Sequence, residues 1–262
     1  MSRLQAVFSG LKKKGGKAFI AFITAGYPSL SVTRRLIPEL EKAGADIIEL
    51  GVPFSDPMAD GPIIQESSQE ALIKGVTLDK ILALVKEARK KTQVPICLMS
   101  YYNPVFNFGE ERFVRKAVSC GVDGLILPDL PPEEGALLRK AARKEGLDII
   151  CFIAPTTSPE RMRFIARIAH GFIYYLSLTG VTGPRQKLPP DLKPNLRRIR
   201  RFTAKPVCVG FGVSTPGQVR DIEKVADGVI VGSAIVKKIR EHKNSPALFK
   251  RVGAYVRSLK GS

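Results

Sequence analysis

The chain has 262 residues, 44% of them hydrophobic, and its 42 Lys and Arg against 24 Asp and Glu give a formal net charge of +18. No apolar run reaches the roughly 18 residues of a membrane span and the N-terminus reads without a signal peptide, so a cytoplasmic protein with no membrane partner is expected. With two histidines, His170 and His242, away from every expected strand end, and four dispersed cysteines, neither a His-ligated metal site nor a Ser-His-Asp triad is expected, and the thiols read as buried and reduced.

The pattern opens with an amphipathic helix over 2–14, Leu4, Val7, Phe8 and Leu11 on one side, ended by Gly15-Gly16. An apolar strand over 17–24 follows, then a helix over 31–43 with Leu36, Ile37 and Leu40 inward, and a second strand over 46–50. Helices over 65–74 and 78–91, broken at Gly75, lead to a strand over 95–100. Next come a helix over 110–119, a strand over 122–127, a helix over 133–145 and a strand over 147–153. Ser158 caps a helix running to 169, and a strand over 172–176 opens into a long loop over 177–190. A basic helix over 191–202, a strand over 206–209, a helix over 215–224, a strand over 228–231 and a last helix over 245–259 complete the series.

The strands are continuous apolar runs, as in a parallel sheet covered on both faces. Successive strands start about 25–35 residues apart, the length of one βα unit. A closed (β/α)8 barrel with an extra N-terminal helix, forming a single domain over 1–262, fits best. A doubly wound open sheet comes second, because no GxGxxG turn follows the first strand.

In such a barrel the residues just after each strand line the mouth. The stretch DIIELGVPFSDPMADGP (46–62) ends its strand on Glu49 and carries Asp56 and Asp60 on the loop that follows. A carboxylate at the end of a buried strand is costly unless it is paired or opens into a cleft. Glu49 and Asp60 together suit acid–base work on a substrate held between them. No lysine stands at a strand end, which argues against a Schiff-base aldolase. Strands seven and eight end in Gly210-Phe211-Gly212 and Gly232-Ser233, turns that let backbone N–H groups approach a phosphate. The long loop after strand six reads as a lid. Tyr174 and Tyr175 face opposite sides of strand six, and Phe22 can face the interior. The basic residues lack the aromatic interleaving of a nucleic-acid platform, so no nucleic-acid partner is expected; a phosphorylated small-molecule substrate is.

These residues also carry a resemblance. EL followed by GVPFSDPMADGP (49–62), AFITAGYP (21–28), YLSLTGVTG (175–183), GFGVS (210–214) and VGSAIV (231–236) resemble the alpha subunit of tryptophan synthase over nearly the whole chain. The resemblance implies a (β/α)8 barrel that cleaves indole-3-glycerol phosphate to indole and glyceraldehyde 3-phosphate, a lyase of tryptophan biosynthesis. It implies Glu49 as general acid and base and Asp60 as the carboxylate that meets the indole N–H. Phe22 and Tyr174 match the indole pocket, Thr182 the lid residue, and Gly183, Gly212, Gly232 and Ser233 the phosphate contacts. Pro53 and Asp56 match positions facing a beta subunit in an α2β2 assembly. That subunit carries the pyridoxal phosphate, and no cofactor is expected in this chain. The departure from the family is the charge, whose usual members are acidic to neutral.

Overall fold

The computed structural model describes residues 1–177, 189–210 and 212–261. The order begins α1 (Arg3–Lys13), β1 (Ala18–Thr24), α2 (Leu30–Lys42), β2 (Ile47–Gly51), α3 (Pro62–Ile73), α4 (Leu78–Ala88) and β3 (Ile96–Met99). It continues with α5 (Tyr102–Phe108), α6 (Glu110–Ser119), β4 (Gly124–Ile126), α7 (Ala136–Glu145), β5 (Asp148–Ile153), α8 (Pro159–Ile168) and β6 (Ile173–Leu176). It ends with α9 (Leu192–Arg200), β7 (Val207–Gly210), α10 (Pro216–Glu223), β8 (Gly228–Val231), α11 (Ser233–His242) and α12 (Leu248–Lys260). All eight strands are parallel and pair in sequence order, and β8 returns to β1, so the sheet is a closed barrel.

Two helices escape the sequence pattern. α5 has only seven residues and carries Pro104 in its first turn, which costs it no helical hydrogen bond but hides its periodicity. Only Gly232, its N-cap, separates α11 from β8, so its first turn reads as part of a strand-end turn. The single helix expected over 245–259 is therefore preceded by another, and the last one spans Leu248–Lys260.

Because strand side chains alternate, each strand divides its apolar residues between two cores. Ile48 and Leu50 point outward to the helices, while Ile47 points into the barrel beside Ala18, Ile20, Cys97, Ile126, Ile150, Cys208 and Ile230. Tyr174 and Phe172 face this interior and Tyr175 the outer layer, as the adjacent tyrosines require. The end of the barrel where the strands begin is plugged by α1. Its Leu4 and Phe8 are buried in the inner cluster, Phe8 lying 5.8 Å from the Phe172 ring, and each is worth roughly 1.5–3 kcal/mol of burial. Ser2 caps α1 in a capping box and its hydroxyl donates to Asp148 at 2.7 Å, while Arg3 pairs with Asp123 at 2.9 Å. The interior is thus closed at the end where strands start and open where they finish, where Glu49 stands.

Part of the positive charge follows the topology. Among the described residues, all eight helices that lead into a strand carry Lys or Arg in the last turn, among them Lys42 of α2, Lys86 of α4, Arg143 and Lys144 of α7, and Arg167 of α8. There they complement the negative end of the helix dipole, each worth about 0.3–1 kcal/mol. In a barrel these helix ends lie on the rim opposite the mouth. The basic stretch of α9 runs toward that rim as well: Arg200 pairs with Asp227 and donates to the carbonyl of Lys205, both just before a strand.

Candidate active site

Glu49 is brought to the interior by the same alternation that puts Ile47 there. It pairs in register with Phe22 on β1 and Cys97 on β3, and it is only 1% exposed. Its Oε2 has no hydrogen-bond partner among the described residues. Burial first, and then the charge of Asp60, push its pKa from 4.5 up to about 8, so the carboxyl keeps its proton at neutral pH.

Asp60 arrives from the loop between β2 and α3, just ahead of Pro62, which starts α3 at a position where proline needs no N–H donor. It too is buried. Burial raises its pKa to about 6, against the hydrogen bond from the Tyr101 hydroxyl, 3.1 Å from Oδ2, which lowers it. Asp60 therefore ionises before Glu49 does. The two carboxyls differ in environment in the way that separates an anion from an acid.

Both line one cavity of about 140 Å³ together with Phe22, Tyr174, Gly212, Gly232 and Ser233. Seven of the residues expected at the site thus meet in one place. Gly212 has φ +67°, a conformation that favours glycine. Gly210 is needed for another reason: a Cβ there would lie 2.4 Å from the Tyr174 hydroxyl oxygen. Gly232 is the N-cap of α11 and Ser233 its first residue, with no side-chain cap and no acidic residue in the first turn. The opening N–H groups of a helix have no intrahelical partner, and the dipole adds positive potential, so this corner of the cavity suits an anion.

The rest of the lining is largely apolar, and no local sequence motif singles its residues out. Phe152, Met99, Leu176, Ile230 and Ile64 line the cavity, and the Phe152 ring lies 4.8 Å from that of Tyr174. Their signal was present as strand parity: Phe152 pairs in register with Tyr174 and must share its face. Pro53 and Asp56 lie outside the cavity lining. Pro53 is buried, whereas Asp56 is exposed on the β2–α3 loop and accepts a hydrogen bond from Ser55. Thr182 and Gly183, and with them most of the expected lid, lie outside the described residues. The four cysteines are free and buried, and burial pushes the Cys97 thiol up beside Glu49. Among the described residues no group of three His, Cys, Asp or Glu side chains could hold a metal ion, and no helix is long and apolar enough to cross a membrane. A larger concavity of about 210 Å³, lined by Leu130, Arg139 and Arg161, holds neither carboxyl of the pair.

Fold and site define a (β/α)8 barrel whose titratable groups, one protonated and one ionised, stand at the C-terminal mouth. Residues 8–261 match the family model described as tryptophan synthase alpha chain. The chain is 53% identical over 260 residues to the tryptophan synthase alpha chain of Geotalea uraniireducens, covering 99% of this chain and 97% of that one. It is 45% identical over 260 residues to that of Caldanaerobacter subterraneus subsp. tengcongensis, covering 99% of each. Among solved structures, tryptophan synthase subunit alpha from Legionella pneumophila superposes with a TM-score of 0.93 at 39% identity, over 100% of this chain and 98% of that one. Mycobacterium tuberculosis tryptophan synthase matches with a TM-score of 0.91 at 36% identity, over 99% and 97%. The chain belongs to the tryptophan synthase alpha chain family.

Proposed function

We propose that this chain is a lyase that cleaves indole-3-glycerol phosphate to indole and glyceraldehyde 3-phosphate. The observation that carries this is the carboxyl pair: a proton-bearing Glu49 and an ionised Asp60 in one cavity that has an apolar wall and a helix N-terminus. The apolar wall of Phe22, Phe152 and Tyr174 suits the indole ring, and the Gly212 and Gly232-Ser233 turns suit the phosphate.

The chemistry follows from those roles. Glu49 gives its proton to indole C3, leaving a positive charge shared with the ring nitrogen. Asp60 accepts the indole N–H and stabilises that charge from a fixed position. The Glu49 carboxylate then takes the proton of the glycerol hydroxyl next to C3. As it does, the C–O bond becomes a carbonyl and the electron pair of the breaking C–C bond returns to the ring. Indole is released, the aldehyde is left, and Glu49 is protonated again. Within this reading Thr182 and Gly183 belong to the loop that would cover the substrate.

Membership of the family implies a beta partner in general. We place the β2–α3 loop, with its exposed Asp56 and the buried Pro53 near its start, against that partner in an α2β2 assembly whose pyridoxal phosphate is held by the beta subunit, in the cytoplasm. The test is direct: indole-3-glycerol phosphate is added to the purified chain, with and without a beta subunit, and indole is measured. No indole under either condition overturns the proposal.

A further inference from the structure

We infer that Tyr101 is a positioning residue for Asp60, holding its carboxylate toward the indole nitrogen through a hydroxyl that is itself fixed by the backbone. The inference rests on the function proposed above.

Tyr101 follows β3 and is the N-cap of α5, so its ring is placed by strand and helix together. The ring is 4% exposed and stacks on Phe54, with centroids 5.1 Å apart and planes at 27°. Its hydroxyl accepts a hydrogen bond from the Ala59 N–H at 2.9 Å and donates to Asp60 Oδ2 at 3.1 Å. The donor cannot easily turn away, because the neighbouring N–H occupies its acceptor side. Ala59 and Asp60 are adjacent, so one hydroxyl grips both the backbone of the β2–α3 loop and the carboxylate the loop carries. On the other side, the Gln65 side chain donates to the Asp60 carbonyl at 2.9 Å. The peptide of Asp60 is thus held by α3, while among the described residues its carboxylate accepts a side-chain hydrogen bond from Tyr101. Among the described residues this buried carboxylate has a single side-chain donor, on Oδ2, which leaves its other oxygen for a substrate N–H. Tyr101 itself does not line the cavity; it acts through Asp60, which does.

Among the described residues, three groups face Asp60. Glu49 approaches from β2, Tyr101 from the β3 end, and Tyr174, whose hydroxyl is influenced by both carboxyls, from β6. Of these, only Tyr101 donates to Asp60.

The test is Tyr101→Phe, which keeps the ring and its stack on Phe54 and removes only the hydroxyl. Loss of a hydrogen bond to a charged group should lower kcat by about 10–100-fold, with KM changed less than about threefold. Because the lost bond favoured the ionised form, the acid limb of kcat/KM should move to higher pH. A purely structural role would leave that limb where it is. Tyr101→Leu, which also removes the stack, should lower thermal stability as well, so the two effects separate. Wild-type kcat and an unmoved acid limb in Tyr101→Phe overturn the inference. If instead the parent chain releases no indole from indole-3-glycerol phosphate, it is the proposed function that fails.

Discussion

Replacing Glu49 by Gln should abolish activity and stabilise the protein at alkaline pH, two effects with one cause. The folded chain holds the Glu49 proton up to about pH 8, whereas the ordinary value is 4.5. Between those values the folded state binds more protons than the unfolded one, so stability falls as pH rises through that window and is flat outside it. The full shift corresponds to about 5 kcal/mol at 1.36 kcal/mol per pH unit, a ceiling reached only above about pH 8. Gln has nearly the same shape and no proton to lose. The stability of Glu49→Gln relative to the parent should therefore rise steadily from pH 5 to pH 9, toward that ceiling. Urea unfolding at several pH values measures it, the midpoint moving at constant slope. Indole release by the same variant should drop by about 10²–10⁴-fold, the worth of a general acid and base. A stability difference that does not change with pH would show that Glu49 titrates as an ordinary carboxyl. Residual turnover above about one per cent would remove it from the proton transfers.

The remaining expectations concern the rest of the cavity. The pH profile of kcat/KM should be bell-shaped, rising as Asp60 ionises near about 6 and falling as Glu49 loses its proton near about 8, the two limbs belonging to the coupled pair. A profile that only rises would assign the proton transfer to a base alone. Gly210→Ala would put a Cβ 2.4 Å from the Tyr174 hydroxyl oxygen, so it should cost about 1–3 kcal/mol in urea unfolding and raise KM by tilting that ring. Ser233→Asp adds an acidic residue to the first turn of α11, where none is present. It should stabilise the helix by about 0.3–1 kcal/mol and yet weaken binding of glycerol phosphate. Tighter binding in a direct titration would place the phosphate elsewhere.

The sequence by itself determined the barrel and much of the site. Continuous apolar strands at βα spacing leave few other folds, and a strand that ends on Glu49 before a Gly and Pro break announces an inward carboxyl. The glycine turns after β7 and β8 were legible because they sit at strand ends, and Phe22 and Tyr174 because strand alternation can turn them into the barrel. What stayed illegible depended on partners distant in the chain. Phe152, Met99 and Ile230 look like ordinary core residues, and only the register of neighbouring strands puts them on the cavity wall. The Tyr101–Asp60 hydrogen bond joins residues 41 positions apart, a contact no local pattern encodes. The tertiary structure also places part of the charge. Taken as composition, +18 suggests a field that draws anions to the site. On the barrel, the described helices that lead into a strand each end in a cation, on the rim away from the mouth, where it complements the helix dipole.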